Sequence, residues 1–129
     1  MPLLRFDILE GRSEAEVTDL LDSAHAAVVE GFGVPQRDRY QVVHTHPRAH
    51  LIMQDTGLDI ERSDDMVLVQ VTSRPRGTEQ KQRFYQLLVA NLERDCGIAP
   101  GDVMVSITDN GDADWSFGKG RAQFLTGEL

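Results

Sequence analysis

The chain has 129 residues, 40% hydrophobic and 26% charged, with 13 Lys and Arg against 21 Asp and Glu and a formal net charge of −8. That length suits one soluble domain with a core of its own, and the acidic balance excludes a general nucleic-acid binder or an electrostatic membrane binder, both of which need a basic face. The single cysteine, Cys96, excludes an intramolecular disulfide and any multi-cysteine metal site.

The chain opens Met1-Pro2-Leu3-Leu4-Arg5-Phe6-Asp7, with no basic region leading into an apolar stretch, so no secretory signal is read and a cytoplasmic location is expected. No apolar run approaches the roughly 18 residues of a spanning helix. Leu3 to Leu9 reads as a first strand. Ser13, with Glu16 three residues on, forms a capping box that starts a helix. Val17, Leu20, Leu21, Ala24 and Val28 then mark one buried stripe, and Gly33 stops the helix. His25, near that stripe, reads as a partly buried structural residue. Arg39 to His46 is the second strand. After a link over 47–65, the pattern returns at an offset of 64 without a gap: strand Met66 to Ser73, a helix capped by Thr78, and strand Val103 to Thr108. Phe84, Tyr85, Leu88 and Leu92 repeat the stripe, Gly97 repeats Gly33 and Asp102 repeats Asp38.

The organisation is a tandem β-α-β repeat in a single domain, residues 1–129, with halves of about 2–65 and 66–129. Right-handed crossovers put both helices on one face of a four-stranded sheet. The apolar strand positions are mostly even in the first half (Leu4, Phe6, Ile8, Tyr40, Val42) and odd in the second (Val67, Val69, Val71, Val103, Val105, Ile107). A sheet covered on one face should keep one parity, so the shift points to partial burial of the second face by another subunit, or else to a bulge.

Three features carry chemistry. If Met1 is removed, Pro2 becomes a secondary amine at the start of a strand. An α-amino group has a pKa of about 8, close enough to neutrality to act as acid, base or nucleophile; a retained Met1 would leave it an amide. Ser73-Arg74-Pro75-Arg76 closes the third strand, and Pro75 keeps it extended, so Arg74 and Arg76 can converge on one carboxylate. Under the repeat they correspond to Glu10 and Arg12, so the pair occurs once only. The tail from Asp112 to Leu129 concentrates Trp115, Phe117, Phe124 and Leu129, either as a hairpin patching the core edge or as apolar walls of a site. His44, His46 and His50 have a spacing that could meet a metal, but no carboxylate cluster completes a set, and they read as surface histidines.

With its terminal proline and β-α-β repeat, the chain resembles the tautomerase superfamily, whose members form trimers. Pro2, Gly33-Val34-Pro35 ahead of Asp38, Arg74-Pro75-Arg76, Asp114-Trp115-Ser116-Phe117-Gly118 and the ending Phe124 to Leu129 are similar to its malonate semialdehyde decarboxylase family. The resemblance implies an α+β fold with a four-stranded mixed sheet, a homotrimer, and decarboxylation of a small oxo-carboxylate with no metal or organic cofactor. It makes Pro2 the catalytic amine, Asp38 its acidic partner, Arg74 and Arg76 the substrate-binding cations, and Trp115, Phe117, Phe124 and Leu129 a hydrophobic wall. A protonated Pro2 would polarise the aldehyde oxygen; an iminium on neutral Pro2 is the other route. Pro2 with Asp38 could also hydrate activated oxo acids. The competing readings are a hydratase or dehalogenase, a promiscuous tautomerase, and a small acidic trimer that binds without catalysis. The glutamate with which related halo-acrylate dehalogenases activate water has no counterpart here.

Overall fold

Two hydrophobic periods alternate along the chain, and each half closes into a strand, a helix and a parallel strand. The computed structural model describes residues 1–129. In chain order the elements are β1 (Leu3–Leu9), α1 (Glu14–Phe32), β2 (Tyr40–His46), β3 (Val67–Ser73), α2 (Thr78–Cys96), β4 (Val103–Asp109) and a short α3 (Gln123–Thr126). The sheet runs β2-β1-β3-β4: each half contributes a parallel pair, and β1 and β3 meet antiparallel at the centre. Both long helices cover one face and bury Leu20, Ala24 and Val28 beside Phe84, Leu88 and Leu92. A Cβ on Gly31 would lie 3.3 Å from the Phe84 Cα, which shows how closely the two helices approach. No helix is long and apolar enough to cross a membrane.

Local chemistry sets the helix ends. The Ser13 hydroxyl accepts from the Glu16 N–H at 3.1 Å while the Ser13 N–H donates to Glu16 Oε1 at 3.0 Å, closing the expected box. Both helices end on a left-handed glycine, Gly33 and Gly97, each at φ 66°. The second cap corrects the sequence reading. Gly77, not Thr78, is the N-cap, with its N–H donating to Gln80 Oε1 at 3.3 Å. Gly77 stands 64 residues after Ser13, so the repeat holds and Thr78 is already the first helical residue.

The shift in parity also has a simpler cause than a second buried face. Leu4, Phe6 and Ile8 stand directly opposite Val71, Val69 and Val67, and directly opposed residues share a face whatever their numbers. Even positions of β1 and odd positions of β3 therefore line the same helix-covered core. Tyr40 and Val42, grouped with Leu4 and Phe6 by parity, pair with Leu3 and Arg5 and lie on the open face.

The link folds back on the second half. Ser63 donates to Asp102 through both its N–H and its hydroxyl, each at 2.6 Å, and Arg62 donates to the Gly101 carbonyl at 2.8 Å. Buried His25 bonds the Gln36 carbonyl through Nε2 at 2.7 Å, a structural role as expected. On the open face His46 Nε2 meets Asp7 at 2.6 Å, with His44 Nδ1 3.9 Å from the same carboxylate. His50 belongs to a separate turn, Arg48–His50. Nowhere do three or more His, Cys, Asp or Glu side chains gather in a geometry suited to a metal.

Candidate active site

The start of β1 brings the chain's terminal amine to the turn that precedes β2. The Asp38 N–H donates to the Pro35 carbonyl at 3.0 Å, closing a turn with Gln36 and Arg37 at its corners. That turn delivers the Asp38 side chain, only 7% exposed, to the Met1 amine at 2.5 Å. Behind Met1, the Pro2 side chain is fully buried. A rigid strand start thus fixes what would otherwise be a frayed terminus.

Several charges act on this amine in opposite directions. Burial is the largest influence and lowers its pKa below the ordinary value of 8.0; Asp38 raises it, and Arg76 and then Arg74 lower it. Asp38 therefore favours the cation as its charge requires, but burial outweighs it.

The two guanidinium groups are held quite differently. Arg76 donates from Nε to the Ser73 hydroxyl at 3.2 Å and from Nη1 to the Phe32 carbonyl at 3.1 Å, and lies 5.0 Å from the centre of the Phe32 ring. Burial, followed by the charge of Arg74, lowers its pKa. Arg74 donates from Nη1 to Asp112 at 3.1 Å and stacks 4.0 Å over Phe124, while its buried Nε has no partner. Different segments hold the two side chains: Arg76 is tied to the end of α1 and to Ser73 of β3, and Arg74 to Asp112 and Phe124 of the tail.

The tail forms the apolar part. It is not a hairpin of strands: a short turn at Asp112–Asp114, a single bridge between Gly118 and Arg121, and α3 make up its ordered pieces. Trp115 donates from Nε1 to Asn110 at 2.7 Å and stacks on Phe117 at 5.5 Å. Phe117 meets Phe124 edge-on at 5.5 Å and Tyr40 of β2 at 5.7 Å. Gln123 pins this loop, accepting from the Phe117 N–H at 3.0 Å and donating to the Gly118 carbonyl at 2.9 Å.

A cleft of about 510 Å³ opens beside the amine, lined by Met1, Asp38, Tyr40, Phe117 and Leu129, with Arg37, Gln123 and Glu128 supplying polar groups. Of the residues singled out in the sequence, Asp38, Phe117 and Leu129 border it directly. Trp115 and Phe124 stand behind Phe117, and Arg74 and Arg76 act on the amine without lining the cleft. Sequence reading missed Arg37, Tyr40, Asp112 and Gln123. Only Arg37, adjacent to Asp38, carried a signal that could have found it. A fixed amine, a buried carboxylate and two cations beside an aromatic wall can bind a small anionic carbonyl compound and polarise its oxygen.

Comparison with known proteins identifies the family. Two family models described as tautomerase enzyme match residues 38–118 and 2–59. The probable tautomerase YrdN of Bacillus subtilis is 57% identical over 129 residues, the whole of both chains. A second B. subtilis protein, the probable tautomerase YusQ, is 31% identical, with 97% of this chain and 99% of its own covered. Among solved structures, a malonate semialdehyde decarboxylase described as having decarboxylase and hydratase activities superposes with a TM-score of 0.97 at 56% identity, covering 98% of each chain. Another malonate semialdehyde decarboxylase, inhibited by 3-bromopropiolate, gives 0.94 at 38% identity over 98% of this chain and 97% of its own. A fused 4-OT symmetric trimer gives 0.78 at 25% identity over 97% and 98%.

Proposed function

The chain belongs to the tautomerase family, and on that premise we propose that it decarboxylates malonate semialdehyde (3-oxopropanoate) to acetaldehyde and carbon dioxide, without a cofactor and as a homotrimer. The observation that carries the reading is that the start of β1 is set against buried Asp38: the Met1 amine contacts it at 2.5 Å, and Pro2, buried directly behind, carries the terminus once Met1 is removed. The 56% identity to a malonate semialdehyde decarboxylase supports the choice of reaction, and the fused 4-OT trimer supports the assembly.

In this mechanism Met1 is removed and Pro2 carries the amine. Arg74 and Arg76 take the substrate carboxylate and turn its C–C bond perpendicular to the carbonyl plane. The protonated amine donates to the aldehyde oxygen. As the bond breaks, its electron pair moves onto that oxygen as an enolate, which the cation stabilises more than it stabilises the neutral carbonyl. Carbon dioxide leaves, and the enolate carbon takes a proton from water. Asp38 favours the charged form of the amine and opposes the lowering of its pKa by burial. The aromatic wall around Phe117 excludes water from the departing carboxylate. Hydration of activated oxo acids is a side reaction open to the same amine and carboxylate.

The test is carbon dioxide release from 3-oxopropanoate by the wild type, Pro2→Ala and Arg76→Ala, with folding checked by circular dichroism. Both variants are expected to lose at least about a hundredfold in kcat/KM, the range set by removing one group from an electrostatic site. Full activity in Pro2→Ala rules out the proline mechanism. No turnover by the wild type leaves a tautomerase acting on another substrate.

A further inference from the structure

A three-carbon oxo acid fills only a fraction of the cleft beside the amine. Its volume of about 510 Å³ lies in the range of roughly 300–1,000 Å³ that holds much larger ligands. The chain's start borders the cleft through Met1; neither arginine lines it, but Arg74 stacks on Phe124, which packs against Phe117 of the cleft wall. A 3-oxo acid with its carboxylate on the pair and its carbonyl at the terminal amine has its other carbonyl substituent free to extend into the cleft. In 3-oxopropanoate that substituent is a hydrogen atom.

Arg37 supplies the charge along that path. It sits at the corner of the turn that presents Asp38, and both side chains border the cleft. Its neighbour Arg39 is held by Gln41 and Asp22, whereas Arg37 has no hydrogen bond or ion pair of its own. The carboxylate of Glu128, across the cleft, is engaged by Arg121 at 3.2 Å and by the Thr126 hydroxyl at 2.7 Å. Tyr40, Phe117 and Leu129 give the path apolar walls.

Building on the decarboxylase reading, we propose that Arg37 is a second anion subsite, and that the enzyme accepts 3-oxo dicarboxylic acids whose distal carboxylate reaches it across the apolar cleft. The chemistry is unchanged: the C–C bond to the carboxylate on Arg74 and Arg76 breaks, its electrons pass to the carbonyl oxygen, carbon dioxide leaves, and water protonates the carbon. Only the retained arm differs, and it keeps its own carboxylate. Arg37 is solvent-exposed, so the gain is modest.

The test compares kcat/KM for 3-oxoadipate with that for 3-oxohexanoate, an acid of the same length without the distal charge, after subtracting spontaneous decarboxylation. The wild type is expected to prefer 3-oxoadipate about three- to fivefold, through KM. Arg37→Lys should keep most of that preference and Arg37→Ala should abolish it. No preference in the wild type, an unchanged preference in Arg37→Ala, or turnover of 3-oxopropanoate alone overturns the subsite. Absence of 3-oxopropanoate turnover defeats the decarboxylase reading instead. The subsite is then judged by calorimetric titration with adipate: severalfold weaker binding in Arg37→Ala upholds it, and equal binding removes it.

Discussion

Asp38 and Asp102 occupy equivalent positions of the repeat, 64 residues apart, and both are buried, yet they do opposite work. Asp102 is spent inside the fold, accepting the Ser63 N–H and hydroxyl at 2.6 Å each and anchoring the link to the second half. The Asp38 carboxylate accepts only from the terminal amine, that of Met1, on the border of a cleft. The arginines repeat the contrast. Arg74 and Arg76 bear on the amine, while Arg12, at the position equivalent to Arg76, donates to the Asp65 carbonyl at 2.6 Å. A duplicated unit thus keeps one end as scaffold and frees the other for chemistry.

The contrast can be broken from either side. The largest effect expected is on activity: Asp38→Asn should lower kcat/KM for 3-oxopropanoate about a hundredfold, with only a small change in thermal stability. Asp102→Ala should do the reverse. It removes the two bonds by which buried Asp102 holds exposed Ser63 and the link, and costs about 1.5–3 kcal/mol, read as a fall in Tm of several degrees, while the folded fraction keeps its kcat. Equal activity losses in the two variants would erase the distinction.

A smaller effect separates the two arginines. Asp112 holds Arg74 in an exposed pair of little worth to stability, so Asp112→Asn should leave the Tm unchanged. Freed from Asp112, Arg74 should bind the substrate carboxylate less well, raising KM about three- to tenfold with kcat nearly constant, and Asp112→Glu should restore part of the loss. A change in kcat alone would contradict a positioning role.

The four strands and two long helices are legible in the sequence to within about one residue, because period and punctuation agree: alternating Val and Ile, the Ser13–Glu16 box, and glycines that must turn left-handed at 33 and 97. What was not legible depends on pairing between distant segments. The antiparallel register of β1 on β3 explains the parity shift, and no local pattern announces it. The Asp112–Arg74 pair joins residues 38 positions apart. Asp38 and Arg74-Pro75-Arg76 stood out as candidates, but their relation to the amine emerges only when β1 starts beside the turn before β2. The second helix cap was misread because Gly77 has no side chain to signal it, although the repeat pointed there.

The smallest effect concerns pH. In protein retaining Met1, burial lowers the amine pKa below 8.0. Between that lowered value and 8.0 the unfolded chain binds more protons than the folded one, so stability should rise slightly as pH increases across that window and level off above it. Urea midpoints measured through the window check the sign; a midpoint that falls with rising pH would mean Asp38 dominates burial.

The most direct measurement uses one preparation in two forms, resolved by intact mass: protein with Met1 retained and protein beginning at Pro2. Carbon dioxide release from 3-oxopropanoate should come from the Pro2 form alone, at least about a thousandfold faster than from the Met1 form, as expected for loss of the group on which the acid catalysis depends. Equal rates from the two forms would contradict the account, because the Met1 form has no amine on Pro2 to polarise the substrate.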